Sequence, residues 1–476
     1  MPFNSLPYLG FLIVAVGVYW LLPPRFRGIF VLLASLAFYA SWDVVFVWLP
    51  LMVAAVVYVS GRQIQSDVSG AKKWMWTGIV LVLAPLILFK YRSFVVVNLI
   101  LLAKAMGAQP FSLVAAIAFP VGISFYTFEA IAYLVDVRQR RVTMPKFIDL
   151  CLFFMFWPNI LSGPIVRARE LTPQLNFRKP FEPRFFFEGF DRVIWGLVQK
   201  NVIANMLGIW VDRSFSPRAA GSPSTIDGWF LAIAFGLQIY FDFAAYTNMA
   251  IGAARLLGVT LPENFRQPYH AATPAEFWSR WHMTLSRWIR DYLFFPLNAK
   301  WQGAPVPLYL SLVGVMALVG LWHGAGWNYV LWGCLHGMYL VAYLVFESFK
   351  TEHAFLGSRP AAMIWRVLTL VGVSAAWVVF RATTLSKAGA VLTSMFYRFA
   401  GGRAFGGEFY VFTFAVVLLC AAEPAILQRL TEMEEEAGAD GLSLFRVVGR
   451  PIAYLVGLLL FLLFDENRTQ FIYSQF

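Results

Sequence analysis

Apolar runs recur along almost the whole chain, broken by short polar or basic links, and few folds accept that pattern. They lie at about 9–22, 29–41, 44–60, 74–89, 94–106, 114–135, 147–161, 193–210, 229–240, 308–322, 328–346, 362–380, 409–426 and 452–464. In lipid every backbone polar group must be satisfied inside the protein, so serial apolar runs read as helices. Several fall short of the roughly 20 residues that a perpendicular span needs, so some are expected as half-helices or as helices extended by flanking polar residues. The expected fold is all-α: a polytopic integral membrane protein of roughly 11 to 13 transmembrane or re-entrant helices around a central cavity.

Composition agrees. Of 476 residues 59% are hydrophobic and 13% charged, which excludes an ordinary soluble enzyme and a disordered tail protein. The 18 Trp, 19 Tyr and 46 Phe suit bilayer interfaces and lined cavities. A formal net charge of +12 raises nucleic acid as a partner, but the basic residues are scattered in short clusters between apolar runs, as the positive-inside rule places them. Arg25 and Arg27 follow the first run and Arg62, Lys72 and Lys73 the third, which turns the N-terminus outward; Lys90 and Arg92 interrupt the alternation. The first run lacks a basic n-region and a small-residue cleavage site, so it reads as a span. Cys151, Cys334 and Cys420 have neither disulfide nor zinc spacing, and no internal repeat is evident. The chain is expected to form a single membrane domain over 1–476, with N-terminal spans in 1–110, the chemistry in 111–347 and C-terminal spans in 348–476.

Three stretches break the hydrophobic rhythm. Residues 163–192 carry Arg167, Arg169, Arg178, Lys179, Arg184 and Arg192; residues 255–303 hold two of the five histidines; residues 432–440 are acidic and read as a solvated loop. Laid on one helix, Glu276–Pro296 places Glu276, Arg280, Arg287 and Asp291 on one charged stripe, with Trp278, Trp281, His282, Leu285 and Trp288 opposite. Such a helix lies at or dips into one membrane face. His282 projects from its apolar side, where a hydrogen-bonded structural role and a functional one both fit.

His323 is the sharper signal. It ends the apolar run 308–322 and is followed by Gly324 and Gly326, which let the backbone leave the helix and a ligand approach. An ionisable group at that depth is costly and by default a functional hypothesis. His336, in Trp-Gly-Cys-Leu-His-Gly, reads as a helix-packing residue; His270 and His353 fall in loops.

Glu129 and Asp136, seven residues apart, must each find a donor or stay protonated, and pairing that fixes helix positions is the plainer reading. Asp242, Tyr246 and Asn248 are expected to cluster near one side of a single helix. Nucleotide-binding glycine loops, His-Glu-x-x-His and Gly-x-Ser-x-Gly are absent from the sequence.

The residues 119–126 (Phe-Pro-Val-Gly-Ile-Ser-Phe-Tyr), 133–137 (Tyr-Leu-Val-Asp-Val), 162–167 (Ser-Gly-Pro-Ile-Val-Arg), 240–252 (Tyr-Phe-Asp-Phe-Ala-Ala-Tyr-Thr-Asn-Met-Ala-Ile-Gly), 261–265 (Leu-Pro-Glu-Asn-Phe), 277–282 (Phe-Trp-Ser-Arg-Trp-His), 288–293 (Trp-Ile-Arg-Asp-Tyr-Leu) and 320–324 (Gly-Leu-Trp-His-Gly) follow one another in an order that resembles the membrane-bound O-acyltransferase family, in its alginate O-acetyltransferase branch. Two positions depart from that branch: Asn248 stands where it usually has Asp, and Ala244-Ala245 replace a Ser-Gly.

The resemblance implies that His323 is the essential catalytic residue and His282 the second histidine, with Asp242, Tyr246, Asn248, Arg280 and Trp322 as expected substrate-binding residues. It also implies an acetyl group arriving from the cytoplasm on a thioester, acetyl-CoA or similar, with no bound cofactor or metal, and leaving toward a hydroxyl for exopolysaccharide O-acetylation. His323 would act as general base and His282 would hydrogen-bond the acyl donor or the developing oxyanion. With only residues 465–476 after the last run, the chain is expected to work with a separate periplasmic acetyltransferase and an exopolysaccharide synthesis complex, in the bacterial inner membrane. D-alanyl transfer to teichoic acid and secondary transport are the alternatives, the second expecting an inverted symmetry that the sequence does not display.

Overall fold

A computed structural model describes residues 1–107, 119–216, 223–299, 304–350, 358–399, 404–436, 448–464 and 472. Among them the regular structure is helical, with no strand. Among the described residues seven helices are long and apolar enough to cross a membrane, by length and composition: Val44–Ser66, Ala71–Ala105, Thr225–Leu256, Pro305–His323, Trp327–Lys350, Arg359–Arg381 and Gly407–Arg429. Leu6–Leu21 and Arg450–Phe464 are shorter apolar helices. The fold is an all-α polytopic membrane protein, as the apolar runs require.

The helices differ from the runs where local chemistry intervenes. The runs at 74–89 and 94–106 fuse into one 35-residue stretch, Ala71–Ala105. Pro85 removes a backbone donor there, and a wider π-turn over Ile87–Tyr91 carries Lys90 instead of a break. The run at 147–161 divides at Phe156 into Phe147–Met155 and Trp157–Ile160, with Pro158 in the first turn of the second. His353 and residues 437–440 lie outside the described residues.

Two compact units make up the chain: residues 1–193 with 247–262, and residues 194–246 with 263–476. In the first, Glu129 on the Ile123–Arg138 helix accepts from Asn159 Nδ2 at 2.8 Å and from the Val166 backbone N–H at 3.1 Å, while Asp136 pairs with Arg141 at 3.4 Å. Each buried carboxylate thus has the donors its burial demands. Gly122, before that helix, has φ +78°, and a Cβ there would run into the Ile160 carbonyl; the Pro-Val-Gly turn therefore needs glycine. In the same unit Asn248 Oδ1 accepts from Arg192 at 2.7 Å.

The second unit carries the histidines. Its Pro305–His323 and Trp327–Lys350 helices pack closely through glycines: a Cβ on Gly320 would meet the Tyr329 carbonyl, and one on Gly333 the Met316 carbonyl. Close backbone approach of this kind is how helices associate in lipid, where there is no hydrophobic force between them.

Candidate active site

The Pro305–His323 helix stops at His323. Gly324 follows with extended backbone, φ −160° and ψ 146°, and three residues later the Trp327–Lys350 helix begins. The chain leaves the helix where the glycine spacing predicted. His323 is buried, and aromatic rings surround it: Trp322 at 4.8 Å between centroids, Trp332 at 5.1 Å and Phe380 at 5.7 Å.

His282 reaches the same cluster from another segment. Its ring lies 6.1 Å from that of Trp322, 4.8 Å from Phe243 and 6.4 Å from Phe265. Trp322 therefore lies within ring contact of both histidines.

The single helix expected over Glu276–Pro296 does not form. Pro274–Arg280 and Met283–Ile289 are separate, and between them Trp281 is extended while His282 adopts left-handed backbone, φ 41° and ψ 53°. Asn264 explains the break. Its backbone carbonyl accepts from Met283 N at 2.8 Å, and its side-chain Oδ1 accepts from Thr284 N at 3.2 Å, Thr284 Oγ1 at 2.8 Å and His282 Nδ1 at 3.0 Å. These bonds replace those a continuous helix would make and satisfy the new N-terminus from a distant loop. The expected faces survive the break: Trp278, Trp281, His282, Leu285 and Trp288 are buried, while Glu276 and Arg280 pair at 2.7 Å. Arg280 also bonds the Arg266 carbonyl at 3.3 Å, so it braces this segment.

Burial pushes the His282 imidazole down to about 3, so it is neutral throughout the physiological range. Its Nε2 is buried with no hydrogen-bond partner among the described residues. The same is true of the indole N–H groups of Trp281, Trp332 and Trp377. The ring of Trp281 lies tilted 4.9 Å from that of Trp377, which stacks on Trp332 at 5.7 Å. Buried polar atoms normally have partners, so such a group of lone donors and one acceptor suits a ligand.

The Thr225–Leu256 helix supports this cluster. Phe243 faces His282, and the preceding Asp242 pairs with Lys200 Nζ at 2.6 Å and accepts from the Ile472 backbone N–H at 2.7 Å. Lys200 Nζ also lies 6.0 Å from the centroid of the Tyr246 ring. Asp242 and Tyr246 thus share Lys200, whereas Asn248 has Arg192. His336 touches the Trp332 ring that His323 also touches, at 4.8 Å, and packs against Trp278 at 5.2 Å and Phe277 at 5.9 Å, and its Nε2 too is buried with no hydrogen-bond partner among the described residues.

Comparison with known proteins bears on what such a cluster does. A family model described as membrane-bound O-acyltransferase matches residues 67–385, which include both histidines. The chain belongs to the membrane-bound O-acyltransferase family. It is an O-acyltransferase. Among its relatives, the probable alginate O-acetylase AlgI of Azotobacter vinelandii is 37% identical over 83% of this chain and 78% of its own length. The peptidoglycan O-acetyltransferase of Helicobacter pylori is 33% identical over 78% and 74%. A teichoic acid D-alanyltransferase of Bacillus subtilis is 27% identical over 50% and 62%. Within this family member, Lys200 and Asn264 went unrecognised from sequence. Lys200 had a signal, an ammonium inside the apolar run 193–210; Asn264 had only its place in the Leu-Pro-Glu-Asn-Phe stretch.

Proposed function

We propose that this O-acyltransferase moves an acetyl group from a cytoplasmic thioester, acetyl-CoA or a similar donor, to a hydroxyl on the far side of the bacterial inner membrane, for O-acetylation of an exopolysaccharide. The observation that carries the reading is His323 at a helix end among Trp322, Trp332 and Phe380, with His282 against the same Trp322. The higher identity to acetylases, over more of the chain than to the D-alanyltransferase, favours acetyl over alanyl.

In this reading the His323 imidazole takes the proton from the acceptor hydroxyl as its oxygen attacks the thioester carbonyl. A C–O bond forms, the C–S bond breaks, and the leaving sulfur recovers the proton from the imidazolium. Aromatic walls keep water from the thioester. The indole N–H groups of Trp281, Trp332 and Trp377 supply donors for the carbonyl oxygen. Asp242, Tyr246 and Trp322 support the substrates, and the acetyl group passes on to a separate periplasmic acetyltransferase within an exopolysaccharide synthesis complex.

Membrane vesicles given labelled acetyl-CoA and an external hydroxyl acceptor test this. His323→Gln should lower transfer by about 10²- to 10⁴-fold with the protein still inserted. Unchanged transfer removes His323 from the mechanism, and transfer of D-alanine but not acetate replaces the donor.

A further inference from the structure

The bonds around Asn264 fix which nitrogen of His282 carries the proton. A backbone N–H can only donate, and Thr284 N points at Asn264 Oδ1 from 3.2 Å, so that atom is the amide oxygen. The same oxygen lies 3.0 Å from His282 Nδ1. Two acceptors would repel there, so the hydrogen of the neutral ring is on Nδ1 and the lone pair on Nε2. His282 is fully buried, and its Nε2 has no hydrogen-bond partner among the described residues.

We infer that Asn264 is a positioning residue for the transfer reaction, holding His282 in the Nδ1–H form so that its bare Nε2 accepts a polar hydrogen from a bound substrate. This rests on the acyl-transfer reading above and alters one part of it. A ring held this way cannot donate to an oxyanion, so the donor role expected of His282 passes to the indole N–H groups. The hydrogen it accepts comes from a hydroxyl of the acceptor other than the one His323 deprotonates, or from an amide of the thioester donor. Left-handed backbone at His282 is part of the device, since non-glycine residues rarely adopt it, and the four bonds that Asn264 makes to His282, Met283 and Thr284 hold it there.

The test reads the tautomer directly and needs no substrate. Protein carrying ¹⁵N-histidine is prepared in lipid nanodiscs as wild type, Asn264→Leu and Asn264→Asp, with His282→Gln identifying the His282 signals by difference. The wild type should show a protonated Nδ1 and a bare Nε2. Asn264→Leu should divide the proton between the nitrogens. Asn264→Asp keeps the acceptor and adds charge, so it should keep the wild-type form and move the titration of His282 to higher pH. A protonated Nε2 in the wild type overturns the proposal, as does an unchanged pattern in Asn264→Leu. Should Asn264→Leu not fold, an unmoved titration in Asn264→Asp overturns it equally.

Transfer from acetyl-CoA then separates the two sources of hydrogen. In Asn264→Leu a kcat reduced at least tenfold at constant KM for acetyl-CoA indicates the acceptor's hydroxyl, with activity restored in Asn264→Asp. A tenfold rise in that KM indicates the donor's amide. If neither constant moves while the tautomer does, Asn264 does not serve the reaction. Wild-type protein that transfers no acetyl group, but displays the expected tautomer, defeats the functional reading and leaves the assignment of the proton standing.

Discussion

The Lys200 ammonium and the Asp242 carboxylate meet at 2.6 Å, both side chains buried. Desolvating two charges is expensive, and a buried pair recovers that cost only through geometry and further hydrogen bonds, here the Ile472 backbone N–H on Asp242. Removing one partner leaves the other charged and alone. Lys200→Met or Asp242→Leu should each cost about 3–5 kcal/mol of stability. The double variant should recover most of it, because no charge is then buried. Thermal unfolding of the four proteins in one detergent measures this cycle, and additive losses would show that the two side chains do not act as a pair.

The neutral His282 makes stability depend on acid. Its value in the unfolded chain is 6.5 and in the fold about 3, with the lowering caused by burial. The unfolded chain therefore binds the proton first, so the contribution is fully present above pH 6.5 and is lost as pH falls toward 3. Within that window the loss is about 1.4 kcal/mol per pH unit. The ring neighbours Phe243, Phe265 and Trp322 bring no opposite charge to the imidazole. His282→Gln should flatten this part of the pH dependence relative to wild type. Parallel curves for the two proteins between pH 6.5 and 4 would exclude it.

That same fixed neutrality bears on the pH dependence of transfer. An imidazole that stays uncharged down to about pH 3 does not produce an acid limb near neutrality. Any such limb in kcat/KM should keep its midpoint in His282→Gln while the maximum falls by about tenfold or more. Loss of the limb in that variant would assign it to His282 instead.

The helices were legible because lipid requires continuous apolar runs whose backbone groups are satisfied inside the helix, and the faces of the Glu276–Pro296 segment because its apolar residues recur at helical spacing. Its interruption at His282 was not. A helix continues until some group outside it offers its backbone better partners, and here that group is Asn264, 18 residues earlier in the chain. No local pattern contains such a bond. The pairing of Lys200, though not its place inside an apolar run, was hidden for a related reason: it sits in the π-turn Gln199–Ala204, and its partner Asp242 lies 42 positions away. His323 was legible because both of its determinants, the apolar run before it and the glycines after it, are local.

Glycine at the helix pair that carries His323 gives the last expectation. A Cβ on Gly333 would collide with the Met316 carbonyl, which belongs to a backbone and cannot rotate away, so the Pro305–His323 and Trp327–Lys350 helices would have to separate. Gly314, on the first of these helices, has nothing within 4 Å of its would-be Cβ. Gly333→Ala should therefore cost about 1–3 kcal/mol by overpacking. Gly314→Ala should instead be neutral or slightly stabilising, since alanine is the better helix former. Because Trp332 precedes Gly333 and its ring lies 5.1 Å from His323, the separation displaces the wall of the site as well. Gly333→Ala should thus lose acetyl transfer out of proportion to its loss of thermal stability. Equal stability of the two variants would show that the helices have room to part, and the close glycine contact would then have no bearing on how His323 is held.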